Sequence, residues 1–145
     1  GVALSYDGTH WSRMEGDHHS GALFDVGPKG TWDAQCAGWP TVVQHGPGEY
    51  RMYYSAWDPQ AEQYVTGFAL SGDGFKWQKG RRLFAGGGPG AFDARGCRTR
   101  SVVDSPDGRG YLMFVEGVSE SWRSSIGLFS SPDGLEWTRV SDTPA

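Results

Sequence analysis

Residues 71–77 read Ser-Gly-Asp-Gly-Phe-Lys-Trp, and the same pattern, S-x-D-G-x-x-W, occurs at residues 5–11 and 131–137. The Trp residues that close the three copies are 66 and 60 residues apart. Asp followed by Gly is a strong signal for a tight turn, because Gly adopts positive φ at little cost and Asp accepts hydrogen bonds from nearby backbone amides. The pattern therefore predicts a β-hairpin that recurs along the chain.

A second repeat lies between these turns, with an offset of 60 residues in its first two segments and 61 in its third. The matching segments are 23–34 with 83–94, 41–43 with 101–103, and 50–54 with 111–115. Each unit is predicted to contain four short strands, because β-rich runs alternate with turn signals. The first strand is 41–43 or 101–103, and the second is 50–54 or 111–115. The third strand is 66–70 or 125–129, with a further copy at 1–4. The fourth strand begins near Trp11, Trp77 or Trp137.

A four-stranded unit that cannot bury both of its faces alone is typical of a β-propeller blade. We therefore predict an all-β chain with about two and a half antiparallel blades: the outer half of one (residues 1–22), a second blade (23–82) and a third (83–145). This is too few to close a ring, so we expect the remaining blades to come from a longer chain or from other protein chains. A β-sandwich is the alternative architecture, and the repeat argues against it.

Composition excludes several classes of protein. The chain has 145 residues, a net charge of −4, 23 Gly and seven Trp. Without a basic excess we expect no nucleic-acid partner, and without a long apolar run we expect a soluble protein with no transmembrane segment. Two Cys do not form a disulfide framework. Cys36 and Cys97 are expected to be buried free thiols, with a bridge between the inner strands as the alternative. The composition does not identify the compartment.

Four features resemble the five-bladed β-propeller superfamily of arabinanases, invertases and levansucrases, above all its glycosidase-related members. They are the S-x-D-G-x-x-W hairpin, the Gly/Pro-rich segment before each aromatic-Asp pair, the Val-Val strand, and the Tyr-x-Met-Tyr-Tyr strand. The resemblance covers nearly the whole chain. It implies a five-bladed ring and, in the hydrolase relatives, three acids that meet in an axial funnel. It extends to plant and algal members, which makes an organellar setting one alternative.

Three acids are candidates for that funnel: Asp33 as base or nucleophile, Asp93 as the residue that orients the sugar, and Glu116 as general acid. Glycoside cleavage needs a protonated carboxyl group on one side of the bond and a carboxylate on the other. The alternative is that Asp33 and Asp93 cap loops, and their equivalent repeat positions favour it. Glu116 breaks the repeat, since its counterpart is Ser55, but it could be a solvated acid or a partner of Arg123.

Arg98 and Arg100 are candidates for binding an anionic ligand. Alternate residues of a strand face the same side, and two guanidinium groups there could hold a carboxylate, a phosphate or a uronic acid. The alternative is an ion pair with Asp93 or Asp33. Trp39 and Trp57 are candidates for stacking on a sugar ring, with packing between blades as the alternative.

The remaining motifs suggest no cofactor. His18 and His19 are predicted to lie in a solvated loop, and we expect no metal site there. There is no Ser-His-Asp pattern, phosphate-binding loop or dinucleotide fingerprint. Two functions stay open. The favoured one is a non-catalytic interaction or structural subunit of a larger assembly. The alternative is a glycoside hydrolase or sugar-binding protein that uses the axial funnel.

Overall fold

The computed structural model describes residues 1–145 and contains ten β-strands and no helix. The strands are β1 (Val2–Leu4), β2 (Ser12–Met14), β3 (Gly38–Gly46), β4 (Glu49–Asp58), β5 (Gln63–Ser71), β6 (Gln78–Phe84), β7 (Cys97–Asp104), β8 (Tyr111–Val118), β9 (Ser124–Ser131) and β10 (Thr138–Arg139). We call β1–β2 the N-terminal hairpin, β3–β6 the middle sheet and β7–β10 the C-terminal sheet. No helix is present that could span a membrane.

Both larger sheets are four-stranded and antiparallel, and their strands lie side by side in chain order. This confirms the predicted all-β, propeller-like fold class. The strands extend further than the sequence predicted: β4 and β5 stay paired out to Asp58 and Gln63. The predicted polar loop between them is therefore short.

The S-x-D-G-x-x-W turns share one set of hydrogen bonds. In the middle copy, Ser71 Oγ accepts the N–H of Gly74, whose φ is 78°. Asp73 Oδ1 accepts the next two backbone N–H groups at 2.8 Å each. The indole of Trp77 donates to the carbonyl of Gly74 at 3.1 Å. The same contacts recur in residues 5–11 and 131–137.

The main core lies between the middle and C-terminal sheets. Its buried side chains are Tyr53, Phe68, Phe92, Cys97, Met113, Val115 and Phe129. Trp137 packs edge-on against Tyr53 with ring centroids 5.8 Å apart, and the Tyr53 hydroxyl donates to the Gly134 carbonyl at 2.9 Å. The Trp of the third turn thus packs between the two larger sheets.

Each larger sheet carries an aromatic ring laid over a glycine of its third strand. Trp32 covers Gly67, where an added Cβ would lie 2.3 Å from the indole. Phe92 covers Gly127, where a Cβ would lie 1.9 Å from the phenyl ring. Only glycine permits this close approach, so the loop before each sheet is seated on the sheet by shape.

The C-terminal sheet leaves one face uncovered. In the middle sheet, Tyr53 and Thr66 face the C-terminal sheet and are each 1% exposed. Their counterparts in the repeat, Phe114 and Ile126, are 41% and 53% exposed. The same surface is therefore buried in one repeat and open in the next.

Candidate functional site

Asp33 lies in the loop that leads into β3, and three side chains contact its buried carboxylate. Lys79 Nζ lies 2.5 Å from Oδ2, the Thr31 hydroxyl donates to Oδ1 at 2.9 Å, and the Tyr54 hydroxyl donates to Oδ2 at 3.1 Å. Burial raises the pKa of Asp33, but the bonds from Lys79, Thr31 and Tyr54 outweigh it, so the pKa lies below its ordinary value. The carboxylate is therefore ionised, and both of its oxygens accept hydrogen bonds.

Asp93 has the same place in the C-terminal sheet and is fully buried. Arg139 approaches Oδ2 with two nitrogens, at 2.7 and 3.3 Å, and the Cys97 thiol lies 3.8 Å from the same oxygen. Oδ1 has no hydrogen-bond partner. Lys79 and Arg139 are themselves 60 residues apart, so the acid-base pair is a repeated element of the fold.

Glu116 contacts Arg98, and the Ser124 hydroxyl donates to it at 2.8 Å. Thr99 adds a longer contact of 3.4 Å. Burial raises the pKa of Glu116, but the bonds from Ser124 and Arg98 outweigh it, and the pKa lies below its ordinary value. Its cationic partner is Arg98 rather than Arg123.

The expectation that Arg98 and Arg100 face the same side is wrong. A register shift separates Cys97 from Arg100, and a β-bulge breaks the alternation of side chains. Arg98 therefore reaches Glu116, whereas Arg100 is buried and donates to the Trp39 carbonyl at 3.1 Å. Burial lowers the pKa of Arg100 to about 10. Neither guanidinium pairs with Asp33 or Asp93.

The two predicted Trp residues lie in one aromatic group. Trp57 packs against Tyr64 with ring centroids 5.0 Å apart, and Trp39 packs against the same Tyr at 5.6 Å. Trp57 also stacks with Trp122 of the C-terminal sheet at 6.0 Å. Sequence reasoning missed Tyr64 and Trp122. The signal for Trp122 was a large aromatic residue within the polar run Ser-Glu-Ser-Trp-Arg of residues 119–123.

The remaining candidates lie apart from the acids. His18 contacts Asp25 at 3.1 Å and Ser20 at 2.7 Å, and its ring lies 4.0 Å from that of His19. Cys36 and Cys97 are both free, and Cys97 is buried whereas Cys36 is only half-buried. Two of the larger clefts, of about 690 and 540 Å³, lie on the N-terminal hairpin and beside Trp32. None of the three candidate acids lines either cleft.

Comparison with known proteins identifies the fold. No known family matches the sequence, and no curated protein does. Among solved structures, the chain is similar to a protein from the family of mannoside phosphorylases that contains glycoside hydrolases targeting β-1,2-mannosidic linkages in Candida mannan. The identity is 18% and the TM-score 0.66, over 79% of this chain and 33% of that one.

Two further structures extend this likeness. An N-acetylgalactosamine deacetylase from F. plautii, in complex with blood group B trisaccharide, is 18% identical with a TM-score of 0.65, over 98% of this chain and 43% of that one. Fructan 1-exohydrolase IIa from Cichorium intybus is 20% identical with a TM-score of 0.56, over 71% of this chain and 20% of that one. The chain thus spans less than half of each neighbour. The predicted resemblance to the propeller glycosidases is confirmed at the level of fold.

Proposed function

We propose that this chain is a non-catalytic segment of a glycosidase-like propeller, and that it serves as a structural and interaction unit of a larger assembly. One observation carries the proposal: each of the three candidate acids is paired with a cation. Asp33 contacts Lys79, Asp93 contacts Arg139, and Glu116 contacts Arg98. The proposal keeps the predicted division into residues 1–22, 23–82 and 83–145.

The pairing argues against hydrolysis on chemical grounds. A glycosidase needs one carboxyl group protonated at working pH and a second positioned across the scissile bond. Glu116, the candidate general acid, has a lowered pKa and is engaged by Arg98. Asp33 and Asp93 lie in the loops before β3 and β7 and are 3% and 0% exposed. Neither carboxylate is therefore open to a sugar.

The uncovered face of the C-terminal sheet supports the interaction role. Phe114 and Ile126 repeat positions that are buried between the two larger sheets. Burial of apolar surface is favourable by about 25 cal/mol per Å², so this face gains stability when it is covered. A further blade with its own S-x-D-G-x-x-W turn fits it, by analogy with the contact of Trp137 on Tyr53.

Carbohydrate binding is the second candidate function. The observation that favours it is an aromatic group to which both larger sheets contribute, with Trp39 and Trp122 exposed and Trp57 and Tyr64 half-buried. Such a role is compatible with an absence of catalysis. It also agrees with the sugar-related descriptions of the neighbours, although those belong to longer proteins.

The test separates catalysis from structure with two variants of one ion pair. Asp33→Asn and Lys79→Met each remove the pair, and only the first removes the acid. We expect no hydrolysis of a panel of aryl glycosides by the unmodified protein, and a similar drop in Tm for both variants. Hydrolysis that Asp33→Asn abolishes and Lys79→Met retains would overturn the proposal. The same readout applies to Glu116→Gln and Arg98→Met.

A further inference from the structure

We infer that the chain pairs with a second copy of itself: the turn at residues 5–11 of one copy docks on the uncovered face of the C-terminal sheet of the other. We call residues 5–11 the N-terminal turn and residues 131–137 the C-terminal turn. The inference rests on the proposed interaction role, because it names the partner of that face. The pairing repeats a contact that the chain already makes internally, between the C-terminal turn and the middle sheet.

The uncovered face is a continuous apolar surface. Residues that are directly opposite on paired strands face the same side of the sheet, and Phe114 is opposite Leu128 while Val103 is opposite Leu112. Together with Ile126, these are the apolar side chains of the face. Val103 is exposed, as Phe114 and Ile126 are. Contiguous apolar surface that stays open in this way marks a site of protein interaction.

The internal contact that serves as the pattern joins the C-terminal turn to β4. Trp137 packs edge-on against Tyr53, with ring centroids 5.8 Å apart. The Tyr53 hydroxyl donates to the Gly134 carbonyl at 2.9 Å, and Arg51 donates to the Asp133 carbonyl at 2.7 Å. The turn is therefore held by one aromatic contact and by two donors of the sheet.

The uncovered face keeps the aromatic ring of this pattern and lacks its donors. The counterpart of Tyr53 is Phe114, and the counterpart of Arg51 is Leu112. A turn on this face is therefore held by its Trp and by apolar packing, without hydrogen bonds from these two positions. A buried aromatic side chain is a common anchor of protein interfaces.

Charge favours the N-terminal turn as the occupant. In the C-terminal turn, Glu136 contacts Arg81 of the middle sheet. The counterpart of Arg81 in the C-terminal sheet is Ser141, so a turn with an acid at this position would lose its ion pair there. The N-terminal turn has His10 at this position, and His10 contacts Asp7 of the same turn at 2.7 Å. It brings no acid that needs an arginine on the face.

The N-terminal turn is also preformed and uncovered. It makes the same internal hydrogen bonds as the other two turns, so docking orders little additional chain and costs less entropy. Trp77 and Trp137 are half-buried against the hydrophobic clusters of the two larger sheets. Trp11 is exposed. Among the three turns, only the N-terminal one has a Trp that no sheet covers.

The turn and the face are different surfaces, so each copy gives one turn and receives another. Head-to-tail contacts of this kind either close into a ring or continue as a filament. Each copy has two four-stranded sheets and one two-stranded hairpin. Two copies together supply four sheets and two hairpins, within the range of about four to eight blades in closed propellers. We therefore expect a closed dimer with two identical contacts.

The experiment measures the mass of the 145-residue chain in solution by sedimentation equilibrium across a concentration series. We expect a dimer that dissociates on dilution. Trp11→Ala removes the ring of the turn and Phe114→Lys places a charge on the face, so each should weaken pairing by at least about tenfold. Tyr6→Ala is the matched control and should pair normally, because the counterpart of Tyr6, Pro132, stays exposed in the docked C-terminal turn.

Two further results are specific to a head-to-tail contact. A mixture of Trp11→Ala and Phe114→Lys should form mixed dimers, because one intact turn then meets one intact face. Phe114→Tyr should pair about fivefold more tightly, the effect of one added hydrogen bond, since its hydroxyl can donate to the Gly8 carbonyl as Tyr53 does to Gly134. Circular dichroism at low concentration checks that each variant is folded.

The inference is overturned if the unmodified chain stays monomeric at about 100 μM, far above a micromolar Kd, since a blade from elsewhere would then cover the face. It is also overturned if Phe114→Lys abolishes pairing and Trp11→Ala does not, because two C-terminal faces would then meet. Failure of the two variants to form mixed dimers has the same consequence. None of these readouts involves hydrolysis, so they are distinct from the test of the proposed function.

Discussion

A buried Asp paired with a cationic side chain occurs twice in the molecule. The two copies differ in the cation and in the other groups that contact the carboxylate. In the middle sheet, Asp33 meets Lys79 and also accepts hydrogen bonds from the hydroxyls of Thr31 and Tyr54. In the C-terminal sheet, the carboxylate meets the forked guanidinium of Arg139 and has no hydroxyl donor. A Lys is a point charge that leaves lone pairs for other donors, whereas Arg supplies two donors by itself.

The difference shows which part of the motif the fold requires. The loops around the two acids share their backbone bonds: Gly27 and Gly87 each donate to the acid's own carbonyl, at 3.1 and 3.2 Å. The ion pair is also common to both copies. The two hydroxyl bonds are not, because the counterpart of Thr31 is Ala91 and that of Tyr54 is Val115. Loop and ion pair form the structural unit, and the C-terminal copy leaves one carboxylate oxygen unsatisfied.

Removal of the acid from the fully buried pair should have the largest effect. Asp93→Ala leaves Arg139 with only the exposed Asp142, at 3.5 Å, as an acidic neighbour, and breaking a buried pair costs about 3–5 kcal/mol. Denaturant unfolding of Asp93→Ala, Arg139→Met and the double variant measures the coupling. We expect the double variant to be much less destabilised than the sum of the single variants. Additive effects would mean that the two side chains do not act as a pair.

Substitution of the glycines under the aromatic rings should have the next largest effect on stability. Gly127→Ala places a Cβ 1.9 Å from Phe92, and Gly67→Ala places one 2.3 Å from Trp32. Overpacking of this kind costs about 1–3 kcal/mol, and we expect both variants to unfold at lower denaturant concentration. Gly88→Ala is the control, because nothing lies near its added Cβ. A Gly127 variant as stable as the control would show that Phe92 is not seated on the sheet.

A single added hydroxyl group should make the C-terminal copy more like the middle one. Ala91→Thr places a donor beside the unsatisfied oxygen of Asp93, as Thr31 does for Asp33. A hydrogen bond of this kind contributes about 1 kcal/mol, so Tm should rise. Thr31→Ala should lower Tm by a similar amount. If both substitutions leave Tm unchanged, the hydroxyl bond is not the feature that separates the two copies.

The smallest effect concerns acid stability. The pKa of Asp33 is lowered in the folded state, with burial opposing and Lys79 and the two hydroxyls outweighing it. Its stabilising contribution is therefore complete above the unfolded-state pKa of about 3.9 and is lost as pH falls through the folded value. The difference in Tm between the unmodified protein and Asp33→Asn should shrink below that pH. Asp17→Asn, at an exposed acid, should show no such change.

The fold was predictable because its signals are local and repeated. Turn chemistry at the Asp-Gly pairs and the nearly constant spacing of the segments predicted the number of strands, their order and the place of each turn. The strand ends were less predictable: Trp57 and Tyr64 pair across a register that their sequence does not mark. The bulge after Cys97 was also hidden, and with it the different surroundings of Arg98 and Arg100.

The site was less predictable because it depends on contacts between distant residues. The sequence identified Asp33 and Asp93 as candidates, but not their cationic partners, which lie 46 residues further along the chain. It identified Trp39 and Trp57 as candidates, but not Trp122, which contacts Trp57 from the C-terminal sheet. Equivalent positions in the repeat had already favoured a capping role for the two acids, and the ion pairs agree with it. Whether any of these residues binds a ligand stays a prediction.

The seven-residue turns bear on how the chain folds. The N-terminal copy makes the same hydrogen bonds as the other two, although its Trp11 is 63% exposed and no further sheet covers it. All of these bonds join residues within a few positions of one another, and hairpins with such local contacts form in about 1–10 μs. Each hairpin that contains one of these turns can therefore form as soon as the ribosome has released it, before the neighbouring sheet is present. The slow step that remains is the docking of preformed hairpins against one another.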